Sequence, residues 1–189
     1  YTMQNRFVGD YLLYGAGNSW GRPQGAMSKL VVAPVRGGEA AQFELKHGVD
    51  RIEALGRNAV VVGADTSDLH FQAVELTAPQ SPVIGDRYTL ERAAQGETRS
   101  HGFFFKPTAA GSSGADDGFL ALPVARARRA GASQLVEGSA AITFLGRTGR
   151  EFSPLGELFA DDARVVDDQC QASCVDWYGN ARPIFLRDR

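Results

Sequence analysis

Short apolar runs separated by glycine-rich and polar turns follow one another along the chain, and this pattern predicts an all-β protein. The run Ala59 to Gly63 is continuously apolar, which is typical of a strand covered on both faces. Residues Leu69 to Leu76 alternate between apolar and polar types, as in a strand with two different faces. The pattern predicts strands near 11–15, 29–35, 51–55, 59–63, 69–76, 101–106, 118–124 and 140–145, with shorter outer strands at 43–46 and 88–91.

The C-terminal region carries mixed signals. Ser153 followed by Pro154 is typical of a helix start, so a short helix is predicted over 153–159. Two further strands are predicted at 174–179 and 184–186.

Two stretches of the chain resemble each other at an offset of roughly 48 residues, namely Asp10 to Ala16 (DYLLYGA) and Asn58 to Ala64 (NAVVVGA). Arg51 and Arg99 keep the same offset. A period of this size with several short strands in each unit is what a β-propeller blade needs. We therefore predict that residues 1–189 form a single segment of a propeller with about three to four blades of four antiparallel strands. Residues 107–117 and 126–138 are predicted to be loop insertions.

A closed propeller takes about four to eight blades, so this segment is expected to be partial. The chain starts at Tyr1 without a methionine and stops shortly after the predicted strand Ile184 to Leu186, which also suggests a piece of a longer polypeptide. The remaining blades would come from the same gene product or from another chain. Tyr11, Leu12 and Leu13 near one end, and Ile184, Phe185 and Leu186 near the other, are the predicted contacts with that missing structure.

Charge excludes some partners. The chain has 20 Lys and Arg residues against 22 Asp and Glu residues, a formal net charge of -2. This balance gives no electrostatic reason to expect nucleic acid or an anionic membrane as a partner. No run of apolar residues is long enough for a membrane-spanning helix.

The two cysteines, Cys170 and Cys174, are separated by three small or polar residues. Two thiols without a nearby histidine are a poor metal site, and a redox-active pair would prefer the CxxC spacing. The favoured interpretation is a structural disulfide between Cys170 and Cys174, which predicts an oxidising compartment and therefore an exported protein.

No catalytic signature is present: the chain has no GxSxG elbow, P-loop or HExxH motif. Ser100 and His101 are adjacent, and neighbouring side chains on a strand point to opposite faces, so they are not predicted to form a nucleophile and base pair. Asp65 and Asp68 lie in a predicted hairpin loop, where the default interpretation is turn formation and the alternative is a weak calcium site. The sequence suggests no cofactor other than calcium.

Trp20 lies in a loop rich in glycine, asparagine and serine, where a large aromatic side chain favours a recognition role. Trp177, within DWYGN, is predicted to pack in the core, and the phenylalanines at 103–105 are predicted to pack between blades.

Three strings of the sequence resemble bacterial secreted proteins that contain a β-propeller domain: HGVDRIEALGRNAVVVG (47–63), QGETRSHGFFF (95–105) and CVDWYGNARPIFL (174–186). The resemblance covers nearly the whole chain and implies the C-terminal part of a propeller. It implies fold and export only, because that family has no settled activity to transfer.

The leading functional hypothesis is a non-enzymatic exported propeller that acts as a binding or structural module, for example in a cell-surface assembly. One alternative is part of a hydrolase or lyase whose catalytic residues lie mainly outside this segment. A calcium-dependent adhesin is the other, and it predicts thermal stabilisation by calcium.

Overall fold

The computed structural model describes residues 3–17, 27–77, 82–108, 116–126, 140–159 and 182–185. Within these ranges the chain forms thirteen strands and one short 3-10 helix. The strands form three sheets, and every pair of neighbouring strands is antiparallel. The all-β prediction is therefore confirmed. No helix in the described part is long and apolar enough to cross a membrane.

The first two sheets are simple meanders, in which consecutive strands are also neighbours in space. Two-residue turns join the first strand of each sheet to the second, and each turn has a glycine at positive φ, Gly9 at +56° and Gly56 at +61°. The first sheet contains β1 (Met3–Val8), β2 (Tyr11–Ala16), β3 (Ser28–Pro34) and β4 (Ala41–Leu45). The second contains β5 (Arg51–Leu55), β6 (Asn58–Ala64), β7 (Leu69–Glu75) and β8 (Val83–Leu90).

The third sheet repeats the four-stranded meander and adds one short strand. Its members are β9 (Ala93–Gln95), β10 (Phe104–Pro107), β11 (Gly118–Arg126), β12 (Ala140–Thr148) and β13 (Glu151–Phe159). β10 to β13 follow one another in order, while β9 pairs with the end of β11 that β10 leaves free. The 3-10 helix, Ser100–Gly102, lies between β9 and β10.

The second sheet lies between the other two. One of its faces packs on the first sheet through a core that includes Leu13, Leu30 and Val61. Its opposite face packs on the third sheet through a core that includes Phe71, Leu120 and Leu145. Every residue of β7 is buried, and so is almost all of β6, as predicted for the apolar run at 59–63.

The first strands of the sheets lie side by side: β1 contacts β5, and β5 contacts β10. At the far side of the second and third sheets, the last strands β8 and β13 also touch. The sheets are thus stacked face to face in chain order, with their first strands adjacent.

The two repeated stretches lie on equivalent strands, but their offset of 48 residues relates side chains that point to opposite faces of the sheets. β2 and β6 are both second strands, yet Leu13 faces the second sheet whereas Val61, 48 residues later, faces back to the first. The turn glycines Gly9 and Gly56 are 47 residues apart, and at that spacing Leu13 corresponds to Val60, which faces forward to the third sheet. A shift of one residue reverses every side chain of a strand, so 47 is the structural period between these strands.

Three local predictions are wrong. Residues 153–159 are not a helix but belong to β13, which pairs along β12 and carries a bulge where Gly156 adopts φ +128°. The predicted strand at 101–106 begins only at Phe104, because the 3-10 helix occupies its start. Ile184 and Phe185 lie outside any strand.

Other predictions fall partly or wholly outside the described residues. The predicted strand at 174–179 and Leu186 lie there, and so does the predicted insertion at 126–138 except for Arg126, which ends β11. Of the insertion at 107–117, the base is described: both the amide and the hydroxyl of Thr108 donate to the carbonyl of Asp117, at 2.9 and 3.1 Å.

Candidate functional site

The outer face of the first sheet is apolar and exposed along β1 and β2, whereas β3 and β4 place Lys29, Gln42 and Glu44 on the same side. Strand register places Met3 opposite Ala16 and Phe7 opposite Leu12, so these side chains share the face that points away from the second sheet. Phe7 is 67% exposed, and Met3 and Tyr14 are also exposed. Large apolar side chains at this density on one sheet face indicate a surface that another element covers. We call it the leading face.

The outer face of the third sheet is apolar as well. Phe104, Phe119 and Leu158 are exposed there, and Leu158 reaches 63%. Register connects them through Ala121, Phe144 and Ile142, which face the same side. We call this the trailing face. It and the leading face lie at opposite ends of the stack, because the second sheet separates them.

Phe185 packs on the trailing face. Its ring lies 5.3 Å from that of Phe104 and 6.1 Å from that of Phe144, centre to centre. Pro183 beside it is buried, whereas Ile184 points outward and is 64% exposed. Phe185 therefore covers part of the trailing face, on which Phe119 and Leu158 are exposed.

The predicted partner contacts at the other end separate into two groups. Leu13 is fully buried in the core between the first and second sheets, so its side chain offers no surface to a partner. Tyr11 is half-buried against the same core, and Leu12 is half-buried on the leading face. Strand alternation explains the difference, since consecutive side chains point to opposite faces.

Arg51, at the start of β5, is the centre of a buried polar cluster between the second and third sheets. Its guanidinium donates to Gln95 Oε1 at 2.9 Å and to Glu53 Oε1 at 2.8 Å. It also donates to two backbone carbonyls, those of Glu97 at 2.8 Å and Arg99 at 2.6 Å. Burial lowers the pKa of Arg51, and the bond to Glu53 opposes that shift. We call this set the Arg51 cluster; it fastens β5 to the segment that leads into the third sheet.

The Arg51 cluster extends to the first sheet and to the 3-10 helix. Arg6 of β1 forms an ion pair with Glu53 at 2.9 Å. Glu97 is buried and accepts the amide hydrogen of Arg99 at 2.7 Å, while its second oxygen lies 3.7 Å from His101 Nε2. A Cβ at Gly102 would lie 2.4 Å from Glu97 Cγ, so the carboxylate is tightly enclosed. The cluster is packed too closely to resemble an open ligand pocket.

Ser100 and His101 belong to the 3-10 helix and not to a strand. The rule that neighbouring side chains on a strand point to opposite faces therefore does not apply to them. His101 faces Glu97, and it is partly exposed.

Two histidines form a second buried cluster, at the same end of the second sheet as Arg51 but on the face toward the first sheet. The rings of His47 and His70 stack at 5.1 Å. His70 Nε2 lies 2.9 Å from Asp65 Oδ2, and His70 Nδ1 lies 3.0 Å from the hydroxyl of Thr89. Because stacked rings direct their nitrogen lone pairs side by side, the pair does not converge on a shared metal ion.

Asp65 and Asp68, the candidate calcium ligands, make hydrogen bonds within the protein. Asp65 Oδ1 accepts the amide hydrogens of Ser67 and Asp68, each at 2.8 Å, and Asp68 Oδ1 accepts that of Arg92 at 2.9 Å. Burial raises the pKa of Asp65, but the two amides and His70 outweigh it and hold the pKa at about 2. Among the described residues, no group of three His, Cys, Asp or Glu side chains is arranged to hold a metal ion.

A buried ion pair joins the second and third sheets. Arg147 of β12 donates to Glu75 of β7, and both side chains are almost fully buried. Arg147 also lies over the ring of Phe152, 5.2 Å from its centre. This pair was not predicted, because its members are 72 residues apart in the chain.

Trp20, Trp177, Cys170, Cys174 and Leu186 lie outside the described residues, so the recognition and disulfide predictions at these positions stay predictions. No family model matches this chain, and the comparisons with curated proteins and with solved structures found no match either.

Proposed function

We propose that this chain forms three blades of a β-propeller and acts as a binding or structural module whose two outer sheet faces are covered by further sheets. The observation that carries the proposal is the contrast between the sheets. The second sheet is covered on both faces, whereas the leading face and the trailing face keep exposed aromatic and aliphatic side chains. Covering sheets would belong to the same gene product or to another chain.

The side-by-side first strands support the propeller architecture, since blades place their first strands around a common axis. The strings that resemble bacterial secreted propeller proteins support the same architecture and an exported location. The face-to-face contacts inside the chain indicate what a covering sheet would look like. Each buries branched aliphatic and aromatic side chains from second and third strands against a similar face.

The test is the association state of the isolated chain. We expect sedimentation velocity to show concentration-dependent self-association at neutral pH, together with binding of an apolar dye such as ANS. Phe7→Lys on the leading face and Leu158→Lys on the trailing face should each reduce both signals. Val83→Lys is the matched control, because Val83 is exposed on β8, at the edge of the doubly covered second sheet.

A wild-type chain that stays monomeric at all concentrations and binds no dye would show that these faces need no cover. Equal effects of the three variants would show that the leading and trailing faces contribute no more to self-association and dye binding than the exposed Val83 does.

The exported location also rests on a proposed bond between Cys170 and Cys174, and thiol labelling tests that bond. Under non-reducing conditions we expect no reactive thiol in the folded or the denatured protein. Two labelled thiols in protein prepared without reductant would remove the bridge and this argument for export.

A further inference from the structure

The segment His47-Gly48-Val49 joins the first sheet to the second and is hydrogen bonded to both. Gly48 donates its amide hydrogen to the carbonyl of Ala64, at the end of β6, at 2.9 Å. Val49 donates to the carbonyl of Ala16, at the end of β2, at 3.0 Å. We call these three residues the joining segment. Its bonds attach the ends of two facing strands to one another.

The joining segment packs closely against one glycine of each strand, Gly15 of β2 and Gly63 of β6. A Cβ at Gly63 would lie 1.7 Å from the Gly48 oxygen, and one at Gly15 would lie 2.7 Å from Val49 Cγ2. The segment therefore has no other position between β2 and β6. If it moves, its contacts with both sheets are lost together.

His47 fixes the joining segment from within. Its side chain is 2% exposed, and Nδ1 lies 2.8 Å from the carbonyl oxygen of Gly48. Because a carbonyl only accepts, Nδ1 carries the hydrogen and Nε2 carries a lone pair. Nε2 is buried and has no hydrogen-bond partner among the described residues. A proton on Nε2 would be a buried donor without an acceptor.

The charged groups around His47 disfavour that proton. His70 stacks on the ring from β7, and Arg87 adds positive charge from β8. Asp65, in the turn after β6, has the opposite sign, but its oxygens already accept from His70 and two amides. Asp50, which follows the joining segment, accepts the amide hydrogen of Ala64 at 2.8 Å. Burial is the largest cause, and the pKa of His47 is lowered to about 4.

We infer that the joining segment is an acid-sensitive link: protonation of His47 expels its ring to water, withdraws Gly48 and Val49 from their bonds, and loosens the first sheet from the second. At neutral pH the ring is uncharged and the link is closed. The device opens one inter-sheet contact and leaves the contact between the second and third sheets closed, since Val49 of the joining segment packs in the core between the first and second sheets.

Amide hydrogen exchange measured by NMR tests the link. Protection factors, corrected for the intrinsic effect of pH, are compared at pH 7 and pH 5 for the amides of Gly48 and Val49. A group whose pKa rises from about 4 to its ordinary value of 6.5 on opening should lower protection about twentyfold between these pH values. The amides of Val62 and Phe71 in the second sheet should change much less.

The chain contains three histidines, so variants of single histidines show which one causes the loss of protection at pH 5. His47→Gln should abolish the loss of protection, while His101→Gln, at a partly exposed site near the Arg51 cluster, should leave it intact. An unchanged loss in His47→Gln, or none in the wild type, would overturn the inference. If His47→Gln does not fold, the NMR titration of His47 in the wild type decides: an ordinary pKa overturns the inference. A depressed pKa whose titration follows the loss of protection supports it.

Discussion

Arg51 and Asn58 show how a single side chain can hydrogen bond to backbone groups that have no partner in a neighbouring strand. Asn58 Oδ1 accepts the amide hydrogens of Leu76 and Thr77, at 2.8 and 3.2 Å, where the chain leaves β7. Arg51 holds two carbonyls before β10. Buried backbone groups need partners, so these side chains determine where neighbouring segments lie.

Replacement of Arg51 by methionine keeps most of the apolar stem but removes five donors. We expect Arg51→Met to lower the free energy of unfolding by about 3 to 5 kcal/mol, because Glu53 and two carbonyls lose a buried partner. Urea denaturation measures the change. Arg36→Met is the control: Arg36 forms an exposed ion pair with Asp10, and its loss should cost less than about 1 kcal/mol. Similar losses in both variants would contradict the assigned role of Arg51.

The Asp65 carboxylate predicts an acid dependence with a defined sign. Its folded pKa of about 2 is below the ordinary 3.8, so its contribution is complete above pH 3.8 and is lost as the pH falls toward 2. The stability difference between wild type and Asp65→Asn should therefore shrink by about 2 kcal/mol between pH 5 and pH 2. Asp10→Asn, at an exposed position, is the control. A difference that stays constant with pH would show that Asp65 has an ordinary pKa.

At the scale of elements, apolar patterning was sufficient to locate most strands but did not determine how they assemble. The run at 59–63 became β6, buried on both faces as its composition predicts. The helix signal at Ser153 and Pro154 was local, and pairing with β12 overrode it. An edge strand tolerates proline, and the bulge around Gly156 absorbs the irregularity.

The candidate sites were less predictable than the strands, for a physical reason. Arg51 attracted notice as a repeat position, but its partners lie 44 to 48 residues away and depend on how two sheets stack. His47 was named only as the start of the string at 47–63, with no role predicted for it. Its burial arises because Gly15 and Gly63 allow the joining segment between two strands, and no local pattern reports that distance.

Gly63→Ala tests this close approach of elements. The added methyl group would meet the backbone oxygen of Gly48, which cannot rotate away, so we expect a loss of about 3 kcal/mol or more. Gly146→Ala on β12 is the matched control: its nearest neighbour is the Ser153 hydroxyl at 2.9 Å, the end of a side chain that can turn aside. That variant should lose less than about 1 kcal/mol. Thermal and urea unfolding compare the two, and equal losses would contradict the proposed packing.

At the scale of the whole molecule, the three sheets are not equally attached. The second and third sheets share a large aromatic and aliphatic core, the Arg51 cluster and the ion pair of Glu75 with Arg147. The first sheet is attached through its own core, through Arg6 and through the joining segment. Because Met3 and Phe7 on its outer face are exposed and the described residues place no further sheet over them, the first sheet has fewer contacts to lose on opening, and we expect local opening to begin there.

The ion pair of Glu75 with Arg147 shows what kind of interaction joins the second and third sheets. Removal of one partner leaves a charge in a dry interface, so Glu75→Gln and Arg147→Met should each lower the free energy of unfolding by about 3 to 5 kcal/mol. In the double variant no buried charge of this pair remains, although Arg150, 3.8 Å from Glu75, also loses its partner. The double variant should therefore lose clearly less than the sum of the single losses, with a coupling of about 1 to 3 kcal/mol in a double-mutant cycle from urea denaturation. Additive losses would mean that the two charges do not interact in solution, and that the apolar core and the Arg51 cluster hold these two sheets together without this pair.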